Sequence, residues 1–335
     1  MATSMFSFTF QNVLAAVFVA LLIIFALFGN IIVCASFYTF RDLRTICNYF
    51  IISLSASDIL VALMAMPIWL ILQLTAQELD SKVVGSQALE LWSFVDILCG
   101  TASIMNLAAV SADRQLAITA PYSYAEHVTS KRAIVVICGV WSYALFIAAL
   151  RFANIPNNGY FHLNVTLSFF VPLSFLLVMY ARIFMVARDQ AKRIGRTYAH
   201  EIKAAKTIAV VIGAFVICWL PFFVLVLGYA YNENFPVSME VYKGIKWMEY
   251  LNSCLNPIIY CCLNRTYRRA FQRLFFRCMR RAHRDLEVDS TAMSLKGVTA
   301  VNYSSNGINE TKMAEKKRKY LRSPLLKRSK EKANV

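Results

Sequence analysis

Few residues of this 335-residue chain could do chemistry, and those that could sit where charge is costly. Asp96 lies in the stretch Leu91 to Val110, which is otherwise apolar or small. An ionised side chain in such a setting costs roughly 2.5–3.5 kcal/mol on insertion scales unless a cation pairs with it. The residue type and its surroundings therefore point to cation binding. Two readings stand: a site for a cationic ligand, or an internal ion pair with Lys246 or Lys243. Arg114 follows 18 residues later, five turns of about 3.6 residues, so the two share a helix face about 27 Å apart. One helix thus carries an acid toward one mouth and Asp113-Arg114 at the other, which suits sensing on one side and acting on the other. Glu249 adds a second acid. It can pair with Lys246, three residues earlier on the same helical face, or form a second cation site favouring a diamine or other dicationic ligand. Asp58 is a further carboxylate inside an apolar run, as a hydrogen-bond hub or an ion site.

The elements that position these groups are membrane-length helices. Hydrophobic residues make up 58% of the chain and charged ones only 16%, which is too apolar for a soluble protein of this length. Seven stretches are long enough to cross about 30 Å of hydrocarbon, at about 13–38, 47–74, 90–118, 132–152, 160–184, 204–230 and 241–262. The expected fold class is an all-α membrane protein, a seven-helix transmembrane bundle. Inner loops carry Arg41, Arg44, Lys131, Arg132, Arg188, Lys192, Arg193 and Arg196. Outer segments mix Lys82, Arg151, Lys243 and Lys246 with Glu78, Asp80, Glu90, Glu233 and Glu240. The positive-inside rule then places the N-terminus, residues 1–12, outside. The third inner loop, about 185–203, and the second outer loop, about 152–160, are both short.

After Leu263, the apolar residues Tyr267, Ala270, Phe271, Leu274, Phe275 and Met279 recur at helical spacing among arginines, predicting an amphipathic helix on the inner surface over 263–282. Residues 283–335 are polar and basic and are expected to be disordered. Residues 263–335 hold 19 basic and 6 acidic side chains. Directly after a spanning helix, that excess fits anionic inner-leaflet lipid rather than nucleic acid. Cys278 is a lipidation candidate. The nine cysteines fall in helices or on the inner side, so no outer disulfide is expected, and none pairs with histidines at metal-site spacing.

Further motifs mark every span: Gly29-Asn30, Leu54-Ser55-Ala56-Ser57-Asp58, Asp113-Arg114, Trp141, Pro172 with Tyr180, Phe215-x-x-Cys218-Trp219-x-Pro221-Phe222-Phe223, and Asn252-Ser253-x-x-Asn256-Pro257-x-x-Tyr260. Prolines inside the last two spans kink the helix and free backbone groups. On these residues the chain resembles a rhodopsin-like (class A) G-protein-coupled receptor over about 13–280, and within that class a biogenic-amine receptor.

The resemblance implies roles. Asp96 would pair with a ligand ammonium, inside aromatic residues Trp219, Phe222, Phe223, Trp247 and Tyr250. A carboxylate with aromatic walls suits a cation through one ion pair and cation–π contacts. Ser168, with Asn164 one turn before it, would meet a ligand hydroxyl, or serve packing alone. Asp58, Ser103, Asn252, Ser253 and Asn256 would form a sodium and water cluster, an allosteric ion rather than a cofactor. Glu201 would pair with Arg114 at rest, and Pro221, Asn256, Pro257, Tyr260 and Tyr180 would take part in the activation switch. A small cationic ligand, a heterotrimeric G protein, arrestin and receptor kinases are the implied partners, at the plasma membrane. No enzyme site is expected. The alternatives are a class A receptor for a peptide, lipid or nucleoside, and a transporter using Asp58 and Asp96.

Three departures from the family pattern stand out. Leu89 occupies the position of the usual outer cysteine, and the second outer loop has none. Gln115 follows Asp113-Arg114 where tyrosine is usual. Glu249 stands where a small residue is usual. A retinal-binding lysine would fall at Tyr250, with Lys246 one turn away.

Overall fold

The computed structural model describes residues 10–75, 85–153, 155–193, 199–232, 235–277 and 279–280. Among them the chain is helical, with no strand. Six helices are long and apolar enough to cross a membrane: α1 (Phe10–Thr39), α2 (Ile46–Leu74), α3 (Ser86–Thr119), α4 (Ser130–Phe152), α5 (Gly159–Val186) and α6, whose apolar part is Ala209–Tyr231. The seventh, α7 (Met239–Leu263), packs against α1 and α6. It is the polar member, because Lys246, Glu249, Asn252, Ser253 and Asn256 are all buried along it. Their polarity is spent inside the bundle, where Lys246, Glu249 and Asn256 find partners that lipid cannot offer.

The outer faces are the reverse. Leu21, Ile24, Phe25 and Phe28 of α1, Val135 and Phe146 of α4, and Phe175, Leu177 and Val178 of α5 are exposed. Exposed apolar surface of that extent suits hydrocarbon and not water.

Two spans widen into a π-helical turn, at Val61–Ala65 in α2 and Thr166–Phe170 in α5. Each ends two residues before a proline, Pro67 and Pro172. Proline has no N–H for the carbonyl four residues earlier, and its ring crowds that carbonyl. The wider turn accommodates both problems. In α7 the remedy differs. Pro257 leaves the Ser253 carbonyl without its helical donor, and Asn30 Nδ2 of α1 supplies one at 3.0 Å. That contact needs the helices close together. A Cβ on Gly29 would lie 2.8 Å from Pro257, so only glycine permits the approach.

The sequence reading differs from the structure at two places. The stretch 185–203 is mostly helix rather than loop: α5 runs on to Arg193 and α6 begins at Ala199. Lys246, grouped above with outer-segment charges, is completely buried in α7. Past the bundle, residues 265–273 are helical, with Tyr267 and Ala270 buried. Residues from 274 form a separate unit; its described residues are helical, with Phe275, Phe276 and Met279 exposed. Cys278 and residues 1–9 and 281–335 lie outside the described residues.

Candidate ligand-binding site

Asp96 sits on an inward stripe of α3. Trp92 precedes it by one turn and Gly100 follows by one, so helical periodicity alone puts all three on one face. On α7 the same periodicity aligns Lys246, Glu249, Tyr250 and Ser253. The two stripes meet. Lys246 Nζ donates to Asp96 Oδ2 at 2.7 Å and to both Glu249 carboxylate oxygens at 2.8 Å. None of the three is open to solvent: exposures are 6% for Asp96, 0% for Lys246 and 2% for Glu249.

Three rings surround the ammonium. Its Nζ lies 5.0 Å from the Trp92 centroid, 4.9 Å from Phe222 and 4.8 Å from Tyr250. These are cation–π distances, and desolvation strengthens such contacts to about 2 kcal/mol. Trp92 Nε1 donates to the Tyr250 hydroxyl at 2.9 Å, which locks two walls of the cage together. Trp69 of α2 stacks on Trp92 at 5.9 Å and takes the edge of Tyr242 at 5.8 Å.

The aromatic cage around a cation is therefore real, but the cation in it is the chain's own. Of the two readings of Asp96, the internal pair is the one present, and Glu249 is engaged by the same lysine. The cage also differs in membership. Trp247 turns toward α1, its ring 5.2 Å from Phe18, because its place on α7 faces away from α3. Trp92 takes the wall. Its position four residues before Asp96 was a signal available in the sequence.

Toward α5 and α6, a cavity of about 20 Å³ adjoins Asp96, room for about one water molecule. Thr101, Asn164, Ser168, Trp219, Phe222 and Phe223 line it together with Asp96. Its floor is Trp219, stacked on Phe215 at 5.6 Å and on Phe223 at 5.8 Å. Trp219 reaches α3 because Gly100 has no side chain; a Cβ there would lie 2.4 Å from the indole. Four polar atoms on the cavity wall, Thr101 Oγ1, Asn164 Oδ1, Ser168 Oγ and Trp219 Nε1, are buried without a hydrogen-bond partner among the described residues. Buried polar atoms seldom go unpaired, so such a group around one cavity marks a place for polar contacts.

Deeper in the bundle, Asp58 Oδ2 accepts from Asn256 Nδ2 at 2.9 Å. Ser103 meets Ser57 at 2.9 Å rather than the Asp58 carboxylate. Ser253, Asn252 and Ser103 are all buried nearby on α7 and α3. No group of three or more His, Cys, Asp and Glu gathers as a metal site among the described residues.

At the other end of α3, Arg114 Nη2 lies 2.6 Å from Asp113 Oδ2. Tyr124, from the short helix Pro121–His127, donates to Asp113 Oδ1 at 2.9 Å. Burial and the Asp113 charge push the Tyr124 phenol upward, so it stays protonated and able to donate. The sequence reading did not single out Tyr124. The side chain of Glu201 lies outside the described residues. Tyr260 stacks on Tyr267 at 5.5 Å, and Tyr180 packs near Ile118 and Ile183. No disulfide forms among the described residues; the outer position of α3 is Leu89, packed into the core.

Residues 29–260 match the family described as 7 transmembrane receptor (rhodopsin family). The chain belongs to that family. This receptor is 31% identical over 328 residues to the alpha-1A adrenergic receptor of Mus musculus, covering 81% of the chain and 70% of that relative. It is also 31% identical over 338 residues to the alpha-1D adrenergic receptors of Rattus norvegicus and Homo sapiens, covering 82% of the chain. The match spans 59% and 58% of those two relatives, less than two thirds of their length. The receptor is thus a multi-pass membrane protein related to biogenic-amine receptors, and the family is one of receptors and not of enzymes.

Proposed function

We propose that the receptor binds an extracellular small amine at Asp96 and signals through a heterotrimeric G protein from the plasma membrane. The observation that carries this reading is the ammonium held between Asp96 and three aromatic rings. The site accommodates an alkylammonium, because it already holds one. The likeness to adrenergic receptors supports the same ligand class. The unpartnered Ser168, Asn164 and Thr101 atoms give a ligand's far end polar contacts once side chains around the water-sized cavity make room, which favours an amine carrying a hydroxyl or amide.

Binding acts by population shift and not by chemistry. The ligand presses on the Trp219 floor, α6 pivots about Pro221, and Arg114 is released at the inner mouth to admit the G protein. Tyr260, Pro257 and Tyr180 move with that opening. Asp58, Ser103 and Ser253 offer the hard oxygen donors that a sodium ion takes, and such an ion would bias the bundle toward rest. Arrestin, receptor kinases and inner-leaflet lipid are the partners proposed for the basic tail. The N-terminus faces outward.

The test is a panel of amines on cells expressing the full chain, read by cAMP and calcium, with Asp96→Asn as control. Asp96-dependent responses are expected. Responses equal in wild type and Asp96→Asn would sink the amine reading. One observation favours a second reading: Lys246 already neutralises Asp96, so a non-amine ligand would need no charge to bind beside the unpartnered polar atoms once the pocket opens. Responses to neutral ligands that survive Asp96→Asn would support it.

A further inference from the structure

Lys246 is the feature that the amine reading does not absorb. Its ammonium occupies the place that a ligand's ammonium needs. Its two acids are not equivalent. Glu249 lies on the same helix, three residues away, and gives it both oxygens. Asp96 lies on α3 and gives it one oxygen, in the only contact of the three that crosses between helices. A ligand ammonium arriving at Asp96 can therefore displace Lys246 from α3 while Glu249 keeps it neutralised on α7. Without Glu249, the same displacement would leave a buried ammonium with no counter-charge.

We propose that Lys246 is a tethered competitor for the amine site, and that Glu249 is the residue onto which it is handed when a ligand takes Asp96. This rests on the amine reading and deepens it. It also fixes the charge of the ligand. Two carboxylates and one lysine leave a single net negative charge, matched by a monocation. The second acid does not serve a dication, because its charge is already spent on Lys246. Glu249 is thus a positioning residue and makes no contact with the ligand.

The two roles for Glu249 separate in a double-mutant cycle. Concentration–response curves for 2-phenylethylamine, tyramine and 1,5-diaminopentane are measured on wild type, Glu249→Gln, Lys246→Met and the double variant. Surface amount is normalised through an N-terminal epitope tag. The double variant keeps the net charge of the cluster, so it remains informative if Lys246→Met alone folds poorly. Glu249→Gln should weaken the monoamines about 10-fold, since Lys246 then depends on Asp96 alone and competes harder. The double variant should restore their potency to at least the wild-type value, and 1,5-diaminopentane should be weaker than the monoamines throughout.

A loss from Glu249→Gln that persists undiminished when Lys246 is also replaced would overturn the proposal, because Glu249 would then touch the ligand. Monoamine potency in the double variant below wild type would do the same. Both outcomes leave the amine reading standing. Absence of any Asp96-dependent response in wild type and in the double variant would instead overturn the amine reading, and the proposal with it.

Discussion

The two ends of α3, outer and inner in the proposed orientation, each hold an aspartate against a cation, but they are built differently. Asp113 pairs with its immediate neighbour Arg114 and takes a hydroxyl from Tyr124, eleven residues on. Asp96 pairs with Lys246, 150 positions away on α7. The inner pair is local, with 12% of the Arg114 side chain exposed and Asp113 as buried as Asp96. The outer pair joins two helices, and its cation is completely buried. A local pair can change partner without moving the bundle; a cross-helix pair cannot. On the proposed function, that difference makes the inner cluster a switch and the outer one a clasp that a ligand must open.

Removing the clasp cation should have the largest effect. Lys246→Ala leaves Asp96 and Glu249 facing each other, buried, with no counter-charge. Breaking a buried pair in this way costs about 3–5 kcal/mol. Thermal denaturation of the purified receptor and its surface expression should both fall steeply. A variant as stable as wild type would mean that the cluster is better hydrated than its burial implies.

An intermediate effect is expected one turn from Asp96, on the side toward the Arg114 cluster. Gly100→Val puts a branched side chain into the space that Trp219 occupies. Overpacking of this kind costs about 1–3 kcal/mol. The indole must move, so intrinsic fluorescence should shift and amine potency should change even though no charge was touched. Unchanged fluorescence and potency would remove Trp219 from the link between the outer site and α6.

The smallest effect belongs to the inner pair. Tyr124→Phe removes the hydrogen bond donated to Asp113 and the longer one accepted from Arg114, each about 0.5–1.5 kcal/mol at most. Basal G-protein activation should rise by several-fold at most, with thermal stability nearly unchanged. A fall in stability matching that of Lys246→Ala would erase the contrast between local switch and cross-helix clasp.

Much of this architecture was legible in the residues, for physical reasons. Spans are read from apolar length, and the markers from Asn30 to Tyr260 place the family. Asp96 announced itself by cost alone. The failures are as instructive. Lys246 counts among the outer-segment charges and is also open as a partner of Asp96 and Glu249; the structure has both pairs, and the facing stripe of α3 decides between the readings. Trp247 was given to the cage by resemblance, yet the helical phase of α7 turns it to Phe18. Trp92 shares the face of Asp96 by simple periodicity and was overlooked. The π-helical turns before Pro67 and Pro172 follow from those prolines, a local signal that the sequence shows but whose outcome, a wider turn instead of a plain kink, it does not specify.

The claim that Asp96 holds an ammonium, at rest that of Lys246 and in signalling that of the ligand, has a clean variant. Asp96→Asn leaves Lys246 paired with Glu249 on its own helix, so no buried charge is stranded. Charged hydrogen bonds contribute about 1.5–3 kcal/mol, and about 1.4 kcal/mol corresponds to tenfold in affinity. Monoamine concentration–response curves on wild type and Asp96→Asn, at equal surface expression, should differ by about 10- to 100-fold in potency. Curves that superimpose would contradict the account.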